Sequence, residues 1–379
     1  MADAGPIMIA GAGIAGLTAA LSLARKGFSV SIFDQATALS DIGAGLQLSP
    51  NATRILDTLG LRPALEGVWC LPEAVDLADG KSLRRLASVP AGRFALERWG
   101  GPYAVLHRGD LQRILLDAVL NEPRCRLTLS QRLDSGLPSA GHSLLIGADG
   151  VWSKTRNHLQ GAGKSRFSGN IAWRMTLRQA DLPSFFDTGR VTAFLGSGAH
   201  MVAYPLSGAR FNVVAISKGP ALSENWGTEV PDRSELQRAF AGWHPELVAL
   251  LRHATEITRW PLHEVTDGLW HSGDETVLIG DAAHAMMPFA AQGAAMAIED
   301  AFELAHFLAE DEDRAAALQA FSAHRRQRIG RVRARGAFNR FAYHAAGPLK
   351  LGRDFVLSLR KPQSLAGDFD WLYGYHALD

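Results

Sequence analysis

Cysteine is scarce: Cys70 and Cys125 are the only two in 379 residues. Two thiols so far apart cannot build a disulfide scaffold or a cysteine-based zinc site, and they fit a reducing, cytoplasmic setting. An excess of either charge is also missing. Lys and Arg total 39 against 38 Asp and Glu, with no basic arm, so no whole-chain field favours nucleic acid. No apolar run reaches the roughly 18 residues of a membrane span. The blandest stretch, 282–298, is broken by His284, Pro288, Gln292 and Gly293. The first ten residues lack a basic n-region and run into a glycine motif that a signal cleavage would destroy, so an unsecreted protein is expected. No His/Asp/Glu spacing reads as a metal site, and no Gly-x-Ser-x-Gly elbow occurs.

Apolar residues and glycine are plentiful. Apolar residues make up 47% and charged residues 20%, the balance of a folded chain with a sizeable core. The length suggests two or three domains. The 38 glycines fall partly in tight clusters, which points to backbone passing close to a ligand. Pro6–Ala10 predicts a strand, Leu17–Lys26 a helix closed by Gly27, and Ser29–Phe33 a second strand. Strand, glycine turn, helix and strand form a βαβ unit with a parallel sheet. Further buried-type strands are predicted at 144–146 and 276–279. Arg108-Gly109-Asp110 opens a helix with Asp110 as a plausible N-cap. Short alternating runs at 71–98, and at 191–195, 200–205 and 211–217, predict an antiparallel sheet inserted into the parallel one. The expected division is 1–70, 99–164 and 273–310 for the parallel-sheet domain, 71–98 and 165–272 for the inserted domain, and 311–379 for C-terminal helices.

Gly11-x-Gly13-x-x-Gly16 has the spacing that lets backbone approach a pyrophosphate. The amides of the following helix, from Ile14 and Ala15 onward, are its natural donors. Asp34, at the end of the second strand, is placed to accept bonds from ribose hydroxyls, which suits FAD or NAD over NADP. Gly280-Asp281 repeats the arrangement of a carboxylate at a strand end, suited to a ribityl chain. The small and punctuating residues Pro288 to Gly293, before a helix starting at Ala294, suit the edge of a flat ring. Asp149-Gly150 with Ser153 and Arg156 reads either as part of this site or as a helix cap beside a surface arginine. Arg108 reads either as a phosphate ligand or as a solvated residue at a helix start.

In order, Gly11–Gly16, Gly147-Ala148-Asp149-Gly150-Val151-Trp152-Ser153 and Leu278-Ile279-Gly280-Asp281-Ala282-Ala283-His284 make the chain recognisable. So do Gly43-Ala44-Gly45-Leu46-Gln47 with Ser49-Pro50-Asn51, Leu106-His107-Arg108, Gln292–Ala295 with Glu299-Asp300-Ala301, and Asp370–Tyr375. The chain resembles the single-component FAD-dependent aromatic hydroxylases, the salicylate hydroxylase-like branch in particular, over essentially its whole length. The resemblance implies the p-hydroxybenzoate hydroxylase fold: an α/β, Rossmann-like FAD-binding domain with a parallel sheet, an inserted antiparallel-sheet substrate domain and C-terminal helices.

It also implies roles. Gly11, Gly13 and Gly16, with Ile14 and Ala15 between them, would hold the FAD pyrophosphate and Asp34 the adenosine ribose. Arg108 and Asp149 would support the phosphates and ribityl region, and Asp281 the ribityl chain. Pro288, Gly293 and Ala294 would border the isoalloxazine, with Gln47 close by. NADH or NADPH would visit as a transient reductant without a Rossmann site of its own. The implied activity is hydroxylation of a phenolic or N-heteroaromatic small molecule, carrying a carboxylate, by O2 through a flavin hydroperoxide. An FAD-dependent reductase, oxidase or epoxidase is the alternative on the same scaffold. Departures from the family pattern are Asp34 in place of the commoner Glu, Ser40-Asp41 where arginine is frequent, a short 126–143 segment, and His376 near the end where an acid is usual.

A phenol becomes nucleophilic as a phenolate, and its pKa near ~10 calls for a base nearby. His200 and Tyr204 are four apart on a predicted strand and so share a face. They fall on a His-x-x-x-Tyr-Pro element that lines the substrate in the resembled family. His200 is assigned as proton acceptor or hydrogen-bond partner, and Tyr204 as its hydroxyl-bearing neighbour. Arg84, Arg174 and Arg178 are unranked candidates for a substrate carboxylate. The arginines clustered at 325–335 read as a solvated basic helix face, or as a positive field for an anionic ligand. Monomer and homodimer both remain open.

Overall fold

The computed structural model describes residues 5–39, 45–133, 143–220, 232–254 and 256–378. Ile7–Ala10 is buried at all four positions, as a strand covered on both faces must be. It lies at the middle of a six-stranded sheet. Val30–Phe33 and Leu144–Gly147 flank it in parallel, Cys125–Thr128 and Thr276–Leu278 lie outside them, also parallel, and His271–Ser272 forms an antiparallel edge. The chain has therefore returned to this sheet by His271, slightly before the expected boundary at 272.

The first helix runs Ile14–Arg25, three residues earlier than predicted. Gly16 sits in the first turn, where a Cβ would fall 1.9 Å from the Gly11 carbonyl oxygen and leave no room for a larger residue. Gly27 ends the helix with φ +92°, as a glycine after a helix does. The helix Arg108–Leu120 is capped by His107, whose Nδ1 accepts the Gly109 N–H at 3.3 Å, and not by Asp110, which lies within its first turn.

The second sheet has seven strands. From one edge they are Ile257–Val265, Ser165–Arg178, Arg210–Lys218, Ala199–Leu206, Arg190–Gly196, Ala74–Asp79 and Arg85–Pro90. Both inserted stretches thus feed one sheet. It is antiparallel except where Ala74–Asp79 joins Arg190–Gly196 in parallel, a pairing that local sequence cannot reveal because its partners are more than a hundred residues apart. One face carries Trp173, Met175, Met201, Ala203, Phe211, Val213 and Ala215 into a core closed by the helices Arg233–Phe240 and Pro245–His253. By alternation the other face carries His200, Val202 and Tyr204 toward the first sheet's loops.

Beyond the sheets, the helix Gly293–Glu310 packs against the thirty-residue helix Arg314–Tyr343. The predicted apolar stripe Leu318, Phe321, Ile329 and Val332 is buried, and Arg325 and Arg328 are buried with it. The solvated-face reading therefore fails for these two. Arg325 pairs with Glu299, Asp300 and Glu303 at 2.8–3.0 Å, and Arg328 pairs with Glu299 at 2.7 Å. Arg326 pairs with Asp267, and Arg331 and Arg335 lie over Trp371 and Phe369. Acids thus neutralise Arg325, Arg326 and Arg328, while Arg331 and Arg335 rest on aromatic rings.

Removing one partner of a buried ion cluster leaves charge uncompensated, at a cost of about 3–5 kcal/mol. Arg325→Met is therefore expected to lower stability by that order. A purified variant melting within a degree of the parent would contradict it.

Candidate active site

The three motifs meet at the start of the first helix, backbone against backbone. Gly11, with φ +104°, leaves no room for a side chain: a Cβ would fall 2.6 Å from the Ala148 carbonyl oxygen and 3.1 Å from Asp149 Cα. At Gly280, with φ +58°, a Cβ would fall 3.1 Å from that of Ala15 and 3.2 Å from that of Ala297. Gly13 is different. A Cβ there would meet nothing within 4 Å, and Gly13 provides no side-chain cap for the helix it precedes. The amides of Ile14, Ala15 and Gly16 thus open onto a cradle that protein side chains leave empty. This fits a pyrophosphate.

Asp34 does more than face that cradle. Its carboxylate accepts the Ala12 N–H at 2.7 Å and the Ala36 N–H at 2.8 Å. It therefore fixes the glycine turn itself, and two of its four acceptor sites remain for a ribose. Gln112, unnoticed in the sequence, holds the same turn by donating to the Ala12 carbonyl at 2.9 Å. Asp149 departs from its expected role. Its carboxylate accepts from Ser153 Oγ, from the Lys154 and Thr155 N–H groups and from Thr155 Oγ1. The side chain thus takes up the first amides of the helix Lys154–His158, whose N-cap is Ser153, while the Asp149 backbone lies against Gly11. Arg156 is not on the surface. It is buried and donates to the Ala282 and Val151 carbonyls at 3.0 and 2.7 Å, tying the second motif to the third. Arg108 is exposed. Asp281 and Pro288 are also exposed, and Gly293 and Ala294 are partly so, open to a bound group.

Beneath this surface lies a buried polar network that the sequence analysis left without a role. Asp300 accepts the Gly280 N–H at 2.9 Å, pairs with His284 Nε2 at 2.5 Å and receives Arg325 Nε at 2.8 Å. Burial alone would raise its pKa, but His284 and Arg325 outweigh burial and hold it down to about 2. Glu299 accepts from Asn51 Nδ2 at 2.7 Å, and Gln292 exchanges hydrogen bonds with Ser49 and Asn51. The signal for this network was present: three acids, Glu299, Asp300 and Glu303, within the otherwise apolar first three turns of the helix.

His200 and Tyr204 do share a face, but they are not neighbours. At about 3.3 Å per residue they stand roughly 13 Å apart. The partner of His200 is His344, its Nδ1 lying 2.9 Å from His344 Nε2, with the Phe289 ring centroid 5.0 Å away. Tyr204 instead packs on Gly45, where a Cβ would fall 2.5 Å from the tyrosine ring, and the Gly45 N–H donates to Asn212 Oδ1 at 2.8 Å. Gln47, on the same short strand, accepts from the Tyr103 hydroxyl at 2.7 Å. Of the three candidate arginines, Arg178 pairs with Asp181 near the surface and Arg84 is exposed. Arg174 is half-buried over Trp260, and its charge acts on Tyr204. Gly43, Ala44, Ser40, Asp41 and the 134–142 part of the short segment lie outside the described residues.

Burial, then the neighbouring His344, lowers His200 to about 3; burial, then Arg340 and Lys218, lowers His344 to about 4. Both imidazoles are therefore neutral at pH 7. An unfolded histidine titrates near ~6.5, so between that value and about 4 the unfolded chain binds more protons. The stability contributed by the pair is complete above pH ~6.5 and is lost as pH falls. Melting temperature should drop between pH 7.5 and 5, and His200→Asn should flatten that slope; an equal slope in parent and variant would refute it.

A model of an FAD binding domain matches residues 141–335, and one of an NAD(P)-binding Rossmann-like domain matches residues 9–41. The chain is 35% identical to 3-hydroxybenzoate 6-hydroxylase 1 of Aquipseudomonas alcaligenes, over 98% of this chain and 98% of that one. It is 34% identical to 6-hydroxynicotinate 3-monooxygenase of Bordetella bronchiseptica, over 86% of this chain and 89% of that one. The structure of a salicylate hydroxylase substrate complex superposes with a TM-score of 0.81 at 22% identity, covering 100% of this chain and 97% of the other. Among the described residues no helix is long and apolar enough to cross a membrane, and no His/Cys/Asp/Glu group could hold a metal. With its three glycine-bearing motifs folded together around an open phosphate cradle, the chain belongs to the FAD-dependent aromatic hydroxylases.

Proposed function

We propose that this flavoprotein monooxygenase hydroxylates a small aromatic carboxylate bearing a ring hydroxyl, of the hydroxybenzoate or hydroxynicotinate type. NADH or NADPH serves as reductant and O2 as co-substrate. The observation that carries the reading is the sheet face opposite Gly45, Gln47 and the Pro288–Ala294 loop. It combines a buried neutral imidazole with a guanidinium, Arg174, that no carboxylate pairs with among the described residues. The names of the two relatives point the same way, since both describe enzymes acting on a ring with a hydroxyl and a carboxylate.

The protein's own part follows from these groups. Gly11, Gly13, Ile14, Ala15 and Gly16 hold the FAD pyrophosphate, and Asp34 takes the ribose with its spare lone pairs. Asp281 meets the ribityl chain. Pro288, Gly293 and Ala294 border the ring near Gln47. Bound FAD, once reduced, supplies the activation of O2 for transfer of one oxygen atom. Arg174 orients the substrate carboxylate by a charge-assisted bond. In the tautomer that donates Nδ1–H to His344, neutral His200 keeps a lone pair on Nε2 to accept the ring hydroxyl's proton. Tyr204 supplies a hydroxyl that burial keeps protonated. Val202 and Ile216 give the face apolar walls, and water exclusion protects the oxygen transfer.

Screening hydroxylated aromatic acids should find compounds that accelerate NAD(P)H consumption and yield a product heavier by one oxygen. Consumption without an oxygenated product from any of them would instead favour a reductase or oxidase. Arg174→Met should raise KM for the carboxylate substrate about tenfold or more. His200→Ala should lower hydroxylation and coupling at unchanged flavin content, whereas equal loss of flavin and activity would mark His200 as structural.

A further inference from the structure

Asn212 is fully buried, yet it lies on the face of the second sheet that carries His200, not on the face that packs against helices. The register places it there. Asn212 stands opposite Tyr204, Val214 opposite Val202, and on the next strand Arg174 stands opposite Val214. Residues paired in this way put their side chains on one side of a sheet, so Asn212, Tyr204 and Arg174 share a surface.

The two ends of the Asn212 amide differ. Its Oδ1 accepts the Gly45 N–H at 2.8 Å. A backbone N–H can bond only to the oxygen of a primary amide, so the orientation of this group is fixed. Its Nδ2 carries two further donors, and among the described residues they meet no acceptor. Buried polar groups are nearly always paired, because an unpaired one has given up water for nothing. The surrounding space is built for the approach. A Cβ on Gly45 would stand 2.7 Å from Asn212 Cγ and 2.7 Å from the Tyr204 hydroxyl oxygen, so glycine lets amide and phenol converge.

We infer that Asn212 reads the substrate carboxylate, its Nδ2 donating to one oxygen while Arg174 supplies the charge, an inference that rests on this face being the substrate site. The chemistry of the group selects an acceptor. A guanidinium and a tethered Nδ2 can only donate, and the Tyr204 hydroxyl beside them has a hydrogen to give. No acid pairs with Arg174 among the described residues. A carboxylate brings acceptors alone, together with the negative charge that is missing. A carboxamide brings N–H donors that would face donors, which such a site rejects. His200 stands at the other end of the face, with Val202 and Val214 between, so hydroxyl and carboxylate are held across an apolar floor. Because the Gly45 N–H holds the amide in place beforehand, little ordering remains for the moment of binding.

Asn212→Asp tests this. The variant is isosteric, and one oxygen of the new carboxylate still accepts the Gly45 N–H, so the donor alone is lost. Titrations of FAD-loaded protein, followed by the flavin spectrum, give Kd for a hydroxybenzoate and for the matching hydroxybenzamide. In the variant the new carboxylate repels that of the hydroxybenzoate, competes for Arg174 and accepts from the carboxamide. The Kd for the hydroxybenzoate should rise about a hundredfold, and the preference between the two ligands should invert, at unchanged flavin content. Asn212→Ser, smaller and uncharged, serves if that variant does not fold, with a loss of about tenfold confined to the hydroxybenzoate. An unchanged ratio of the two Kd values overturns the inference. Loss of flavin at an unchanged ratio also overturns it and assigns Nδ2 to the cofactor. If no hydroxylated aromatic acid perturbs the parent's flavin, the substrate reading fails and this inference with it. If acids bind parent and variant alike, the inference alone fails.

Discussion

The Asp300 carboxylate lies where three separate stretches of chain have to meet. Gly280 and His284 come from the loop after the last parallel strand, Asp300 from the helix that starts at the proposed flavin edge, and Arg325 from the long C-terminal helix. Through Glu299 the same cluster takes in Asn51, and through Asn51 the Gln292 side chain at the helix entrance. A fully buried carboxylate is costly without partners. Here the partners are the backbone and side chains of the very segments that must be in register for a flavin to bind. Folding the cluster and assembling the site are therefore one event. The last segment of chain joins it too, since Tyr375 donates to Glu303 and Arg328 to the Trp371 and Leu372 carbonyls.

What could be read directly from the residues was whatever depends on backbone shape. Gly11, Gly16 and Gly280 stand where another residue's Cβ would meet a neighbouring atom, so their spacing already encodes which strands lie side by side. The βαβ start, the alternation of 199–206 and 210–218, and the strand ends at Asp34 and Asp281 follow from periods of two and 3.6. What could not be read depends on distant partners. Asp149 looks the same in sequence whether it meets a phosphate or caps the five-residue helix after it; the choice lies with Ser153 and Thr155. His107 displaces Asp110 as a cap because the helix starts at Arg108, three residues before the Leu111 start that an Asp110 cap implies. Arg325 and Arg328 look like solvent-facing charges until the acids of another helix, some 25 residues away, are laid against them.

The substrate side was legible in part, and for a clear reason. Strand periodicity put His200 and Tyr204 on one face correctly, but it says nothing about what packs on that face. The element that meets His200 is the end of the long C-terminal helix, where His344 sits, and nothing in the strand's own sequence foretells it. Periodicity also carries no ranking of Arg84, Arg174 and Arg178. Burial does. Of the three, Arg174 is the one that lies over an aromatic ring, Trp260, with its charge acting on Tyr204 and no acid paired with it among the described residues.

An imidazole lowered to about 3 is a poor proton acceptor in isolation, so the role proposed for His200 rests on what the substrate brings. The same desolvation that keeps His200 neutral keeps water from the oxygen-transfer site. An anionic aromatic acid entering beside it changes the balance. A phenolate forming against the ring stabilises the imidazolium that the empty site disfavours, so the base strengthens as its substrate arrives. On the proposed role of His200, substrate charge rather than bulk pH decides when the ring is activated, which suits a reaction whose reduced cofactor should meet oxygen only with a ring in place.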